Sequence, residues 1–107
     1  MSDSLPLAGR VEIVTGAGNG LGRAESVALA GAGALLVLND LAGDAVQSTA
    51  ELVAAAGGQA VVHAGDVGEW ETGAGLVGAA LDAYCRLDIL VNNAGVLRDR
   101  MVFTIRA

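Results

Sequence analysis

A chain of 107 residues has room for a single domain, and with 53% of its residues apolar it can bury a folded core. Its net charge of −6, carried against six arginines and no lysine, excludes the basic face that a nucleic-acid partner requires. No apolar run reaches the roughly 20 residues of a membrane helix, and a lone cysteine, Cys85, with a lone histidine, His63, supplies neither an internal disulfide nor a metal-ligand set. No secretory signal is visible in the first residues, so the expected location is the cytoplasm.

In chain order, "VEIVT" (11–15), "ALLVLN" (34–39), "AVVHA" (60–64) and "DILVN" (88–92) are short apolar runs, too continuous for strands with one face in water. They predict buried parallel strands. Helix-compatible stretches separate them at 20–32, 44–56 and 69–85. In the second, Val46, Thr49, Ala50, Leu52, Val53 and Ala56 recur at helical spacing, with Asp44 at the start and Gly57 past the end. The expected fold class is α/β: β-α-β-α-β-α-β, a Rossmann-type parallel sheet with helices on both faces, truncated after the fourth strand. Three details are expected within it. Glu12, in the central strand, reaches the rim beside Arg10; Trp70 packs the start of the third helix; Met101, Val102 and Phe103 begin an apolar helix face.

Between the first strand and the first helix lies "TGAGNGLG" (15–22), with four glycines in eight positions. Free backbone N–H groups and the positive end of a helix make such a turn an anion site, and a phosphate is the expected guest. Gly16 suits a tight turn, Gly20 lets a pyrophosphate approach the backbone, and Gly22 lets the helix pack closely on the sheet; Asn19 and Leu21 belong to the same cradle. A nucleotide-triphosphate loop of the form G-x-x-x-x-G-K-[ST] is excluded because the chain has no lysine. The common G-x-G-x-x-G fingerprint also fails, because Gly16 and Gly18 would call for glycine where Leu21 stands. What remains is T-G-x-x-x-G-x-G. Asp40, at the end of the second strand and about 20 residues on, is placed to accept hydrogen bonds from an adenosine ribose and to repel a 2′-phosphate, which favours NAD over NADP.

"GDV" (65–67) and "NNAG" (92–95) end the third and fourth strands, so all four strand ends face one crevice. In these motifs the sequence resembles the short-chain dehydrogenases/reductases: Thr15, Gly16, Gly20 and Gly22 match the family's glycine motif, Asp66 and Val67 its adenine-side pair, and Asn92, Asn93, Ala94 and Gly95 its N-N-A-G. The "VLNDLAGD" and "NNAGVLRDRM" stretches look most like the 3-hydroxyacyl-CoA dehydrogenase units of multifunctional β-oxidation enzymes and, more loosely, 3-oxoacyl-carrier-protein reductases. The resemblance implies that residues 1–107 are a dinucleotide-binding portion in which Asp40 holds the ribose, Asp66 and Val67 flank the adenine, and the backbone of Asn93, Ala94 and Gly95 lies along the cofactor. It further implies hydride transfer between NAD and a small-molecule secondary alcohol or ketone.

The chain departs from the family at its chemistry. The family's Tyr-x-x-x-Lys pair, with an upstream serine, moves the substrate proton; here Tyr84 is followed four residues later by Asp88, and it falls at the core spacing of Val77 and Leu81. No catalytic residue is therefore assigned, and the chain alone is expected to be inactive, its substrate being met only in a longer form. A fourth strand without a neighbour would expose an apolar edge and invite self-association. Two other functions compete: a non-catalytic binding or interaction fragment, and a module for S-adenosylmethionine, whose ribose a similar carboxylate can hold.

Overall fold

The computed structural model describes residues 5–92 and 101–103. Its elements run β1 (Val11–Thr15), α1 (Gly20–Gly31), β2 (Leu35–Leu38), α2 (Gly43–Ala55), β3 (Gln59–Val62), α3 (Trp70–Tyr84), β4 (Ile89–Asn92) and β5 (Met101–Phe103). The sheet order is β3-β2-β1-β4-β5, with β1, β2, β3 and β4 parallel. Glu12 on β1 registers with Leu36 on β2 and with Ile89 on β4, and Thr15 faces Asn92 at the carboxyl ends of their strands.

Side chains alternate between the two faces of the sheet. On one side Val14, Leu36 and Leu38 pack with Ala30 of α1 and with Val46 and Val53 of α2. On the other, Val11, Ile13 and Val37 pack with Leu76 and Ala80 of α3 and with Leu87. Each buried branched side chain contributes about 1.5–3 kcal/mol relative to exposure, so the two clusters fix the sheet between its helix layers. The stripe expected on α2 is realised by Val46, Thr49 and Val53, with Gly57 at φ +89 past the end of the helix, whereas Leu52 is exposed.

Four expectations are corrected. The segment from Met101 to Phe103 forms no helix face: it is a strand antiparallel to β4, with Val91 opposite Val102. β4 is therefore not an edge, the sheet is mixed at that side, and the unpaired edge expected to drive self-association is covered. Glu12 does not reach the rim. It is 1% exposed, and its Oε2 has no hydrogen-bond partner, because the middle of a central strand leaves no path to water on either face. Trp70 does not pack the start of α3; it is 85% exposed, since the first helical residue points past the end of the sheet.

Among the described residues no helix is long and apolar enough to cross a membrane, and none of their His, Cys, Asp and Glu side chains gather into a metal-binding group.

Candidate cofactor site

The chain leaves β1 at Thr15 and reverses through Gly16, whose φ of +67 is a conformation that side chains disfavour. It then enters α1 at Gly20. Asn19 is the N-cap, but its side chain makes no capping hydrogen bond, so the first N–H groups of α1 are not covered by a side-chain cap. The axis of α1 brings its first turn against the strand end. A Cβ at Gly22 would collide with the carbonyl oxygen of Gly16 and lie 2.7 Å from its carbonyl carbon. The missing side chain at position 22 is thus the condition for the close packing of α1 on the turn, whereas a Cβ at Gly20 would meet nothing within 4 Å. Asn19, Gly20 and Leu21 are exposed, while Gly22 is buried beneath.

Asp40, half-buried just after β2, reaches across to this turn. Its Oδ2 accepts from the Gly18 N–H at 2.8 Å and its Oδ1 from the Leu41 N–H at 2.8 Å. The carboxylate therefore stands beside the glycine turn after β1 and holds that turn in place. Gly18 is bare for this reason: a Cβ there would lie 2.7 Å from Asp40 Oδ2 and 2.9 Å from the Ala45 Cβ.

Asp66 follows β3. Its Oδ1 accepts from the Gly68 N–H at 2.8 Å and its carbonyl from the Glu69 N–H at 2.9 Å, closing a turn into α3. Asp66 is exposed and Val67 half-buried beside it. This turn is tied to the others through the end of β2: the Gly65 N–H donates to the Asp40 carbonyl at 3.0 Å. Gly16, Asn19, Gly20, Leu21, Gly22, Asp40, Asp66 and Val67 are thus gathered at the carboxyl ends of three adjacent strands. Asn93, Ala94 and Gly95 lie outside the described residues.

Three residues that organise the site carry no signature in the motifs. Asn39, buried at the end of β2, donates from Nδ2 to the carbonyls of His63 at 2.9 Å and Gly65 at 3.1 Å, while its own carbonyl accepts from the Ala17 N–H at 2.8 Å. It joins the glycine turn after β1 to the turn after β3. The second is Ser26, whose hydroxyl donates to the Gly22 carbonyl at 2.8 Å. The third is Arg23, which bonds to Gly18 and Thr49. A polar residue closing an apolar strand, as in "VLND", and a threonine inside an apolar helical stripe are the signals that could have pointed to Asn39 and to Arg23's partner Thr49.

Tyr84 has no part in the crevice. Its hydroxyl donates to the Leu36 carbonyl at 3.0 Å, near the amino end of β2, and burial raises its pKa above the ordinary 10. His63 lies with its ring against Gly75 of α3, in contact so close that a Cβ at 75 would enter it. Cys85 is an exposed thiol that ends α3 with φ 66.

The residues present fit an adenine dinucleotide: a helix start without a side-chain cap, a glycine turn whose Gly20 has open space where a side chain would stand, and a carboxylate beside it. The comparisons agree. The short chain dehydrogenase family matches residues 10–106. Peroxisomal multifunctional enzyme type 2 of Mus musculus is 48% identical over 94% of this chain, which spans 14% of that protein. Hydroxyacyl-CoA dehydrogenase ChsB1 of Mycobacterium tuberculosis is 43% identical over 97% of the chain, which spans 34% of it. Among solved structures, a short chain dehydrogenase from Mycobacterium paratuberculosis bound to NAD superposes with a TM-score of 0.78 at 36% identity, covering 84% of this chain and 38% of that one. A metagenomic short-chain oxidoreductase in complex with NADP gives 0.78 at 39% identity, covering 84% and 41%. The chain thus spans well under half of each of these relatives, and by its glycine turn, its fold and these matches it belongs to the short-chain dehydrogenase family.

Proposed function

We propose that this chain is the NAD-binding part of an oxidoreductase that moves a hydride between the cofactor and a secondary alcohol or ketone, with a 3-hydroxyacyl thioester as the favoured substrate class. The observation that carries the reading is the joint placement of the glycine turn, packed closely on α1 at Gly22 and open at Gly20, and the Asp40 carboxylate at one strand-end crevice. The turn and the start of α1 would hold the pyrophosphate, Asp40 the adenosine ribose, Asp66 and Val67 the adenine, and Asn93, Ala94 and Gly95 the backbone further along the cofactor. A bound nicotinamide supplies or accepts the hydride. The acyl-thioester class rests on relatives named for hydroxyacyl-CoA dehydrogenase and multifunctional enzyme activities.

Proton transfer needs a group that this chain does not carry in the crevice. Its one tyrosine is bonded to β2 and it has no lysine, so the 107 residues alone bind the cofactor without turning over substrate. NAD is preferred to NADP because a 2′-phosphate would meet the Asp40 carboxylate, and no residue at 41 or 42 is basic. A cytoplasmic location is proposed separately, in competition with the peroxisome named for one of these relatives, and a fluorescent fusion decides between them.

The test is calorimetric titration of the chain with NAD, NADP and S-adenosylmethionine, repeated on Asp40→Asn. The amide keeps an acceptor for the Gly18 N–H while removing the charge. Saturable NAD binding in the wild type, with the NADP-to-NAD affinity ratio rising about tenfold or more in the variant, supports the assignment. Tighter binding of S-adenosylmethionine than of NAD would replace it.

A further inference from the structure

The phosphate turn has two halves that differ in how their main-chain groups are used. In the first half, Ala17 and Gly18 have no free peptide group. The Ala17 N–H donates to the Asn39 carbonyl at 2.8 Å, and the Ala17 carbonyl accepts from the Thr49 hydroxyl at 2.7 Å. The Gly18 N–H donates to Asp40 Oδ2 at 2.8 Å, and the Gly18 carbonyl accepts from Arg23 Nη2 at 2.6 Å. In the second half, from Asn19 to the start of α1, the helix start has no side-chain cap and Asn19, Gly20 and Leu21 are exposed. The first half is an anchor and the second is the ligand-facing part.

Arg23 fastens the anchor to α2. Besides Gly18, its guanidinium donates from Nε to the Thr49 hydroxyl at 3.0 Å and from Nη2 to the Ala45 carbonyl at 3.2 Å. One planar fork therefore spans the turn and the helix behind it, and it is carried on the first turns of α1, the helix whose positive end faces the anion. Thr49, fully buried on α2, completes the link by accepting from Arg23 while donating to Ala17. An unfastened turn would have to be ordered by the ligand, and that ordering weakens binding.

We infer that Arg23 and Thr49 are positioning residues for dinucleotide binding: the guanidinium and hydroxyl lock the anchored half of the turn onto α2 so that its open half is preformed for a pyrophosphate. The inference rests on the proposed cofactor reading and deepens it. It concerns the phosphate end of the site, and the adenosine end, where Asp40 is touched only through its bond to Gly18, should change less.

The test compares NAD with adenosine, which lacks the pyrophosphate, on the 107-residue chain and on Arg23→Met, Arg23→Lys, Thr49→Val and Thr49→Ser, with thermal unfolding of each. Arg23→Met and Thr49→Val should each weaken NAD about tenfold or more, with adenosine changed less than about threefold. Thr49→Ser should restore wild-type NAD binding. Arg23→Lys should fall between, because an ammonium cannot reproduce the fork. The double variant Arg23→Met with Thr49→Val should be no worse than the poorer single one, since both break the same link. NAD affinity unchanged in Arg23→Met and Thr49→Val would overturn the inference, and so would a parallel loss of NAD and adenosine, which marks general destabilisation. A Gly22→Val control separates the two claims: if it abolishes NAD binding while Arg23→Met binds as the wild type does, the cofactor reading stands and this inference falls. A wild-type chain that binds no NAD takes both down.

Discussion

In the turn after β1, a methyl group at position 22 would lie on the main chain of Gly16, whereas at positions 73 and 78 on α3 it would meet nothing within 4 Å. Both regions are rich in glycine, but in the first the space of the missing side chain is occupied by neighbouring backbone and in the second by solvent. Among the described residues, Asp40, Asn39, Thr49 and Ser26 are hydrogen-bonded around the crevice, and Asp88 and Tyr84 away from it, while in the body of β1 the buried Glu12 Oε2 has no partner. The glycine turn leaves no room for an added atom at position 22, and the loose end sits in the body of the sheet.

Replacing Gly22 with alanine should have the largest effect. The added carbon falls on backbone rather than on a movable side chain, so the substitution should cost at least the upper part of the ~1–3 kcal/mol typical of overpacking and abolish NAD binding, as read by urea denaturation and calorimetry. Asn39→Leu comes next. It strips two carbonyls of their buried donor, at about 1–3 kcal/mol each, and should also weaken adenosine binding because it frees the turn that carries Asp66.

Glu12→Leu should act in the opposite direction and stabilise the chain by about 1–3 kcal/mol at neutral pH. Desolvation raises the Glu12 pKa above its ordinary 4.5, with Arg10 opposing the rise and Asp88 adding to it. The folded state therefore holds this proton more tightly than the unfolded chain does. That benefit is full below about pH 4.5 and is lost as the pH rises through the folded value, so the gain from leucine should shrink towards acid. Asp88 has the contrary dependence. The Arg86 hydrogen bond, at 2.6 Å, leads in lowering its pKa below 3.8, so its contribution is present above that pH and fades as the pH falls. Stability measured from pH 3 to 8 should thus rise out of acid and then lose ground, and only the second limb should vanish in Glu12→Leu.

The smallest effects sharpen the contrast among glycines. Gly73→Ala and Gly78→Ala should each stabilise α3 by about 0.5–1 kcal/mol, since helix propensity improves and nothing is displaced. Gly75→Ala, two residues from Gly73 and three from Gly78, should destabilise it instead, because the new carbon enters the His63 ring. Thermal unfolding of the three variants would show the opposite signs.

Most of the architecture was legible because buried parallel strands leave a strong signal: "VEIVT" and "DILVN" are mainly branched apolar residues with no polar-apolar alternation, and turn glycines punctuate the helices between them. The site was legible where chemistry demands a residue type, as at Gly22 and Asp40. What escaped is what depends on contact across the fold. Glu12 looks like a rim residue by composition, and only the register between Leu36 and Ile89 shows that both sides are covered. Trp70 is large and apolar, which suggests packing, yet as the first residue of α3 it is exposed. "MVF" suits a helix or a strand alike, and β4 beside it decides for the strand. Arg23 and Asn39 act through backbone carbonyls, which no spacing rule encodes.

The most direct measurement is a calorimetric NAD titration of the wild-type chain beside Gly22→Ala and Gly73→Ala. Saturable binding in the wild type and in Gly73→Ala, with none in Gly22→Ala, is the result expected if the bare backbone of the turn is the phosphate cradle. Equal NAD binding by wild type and Gly22→Ala would contradict it.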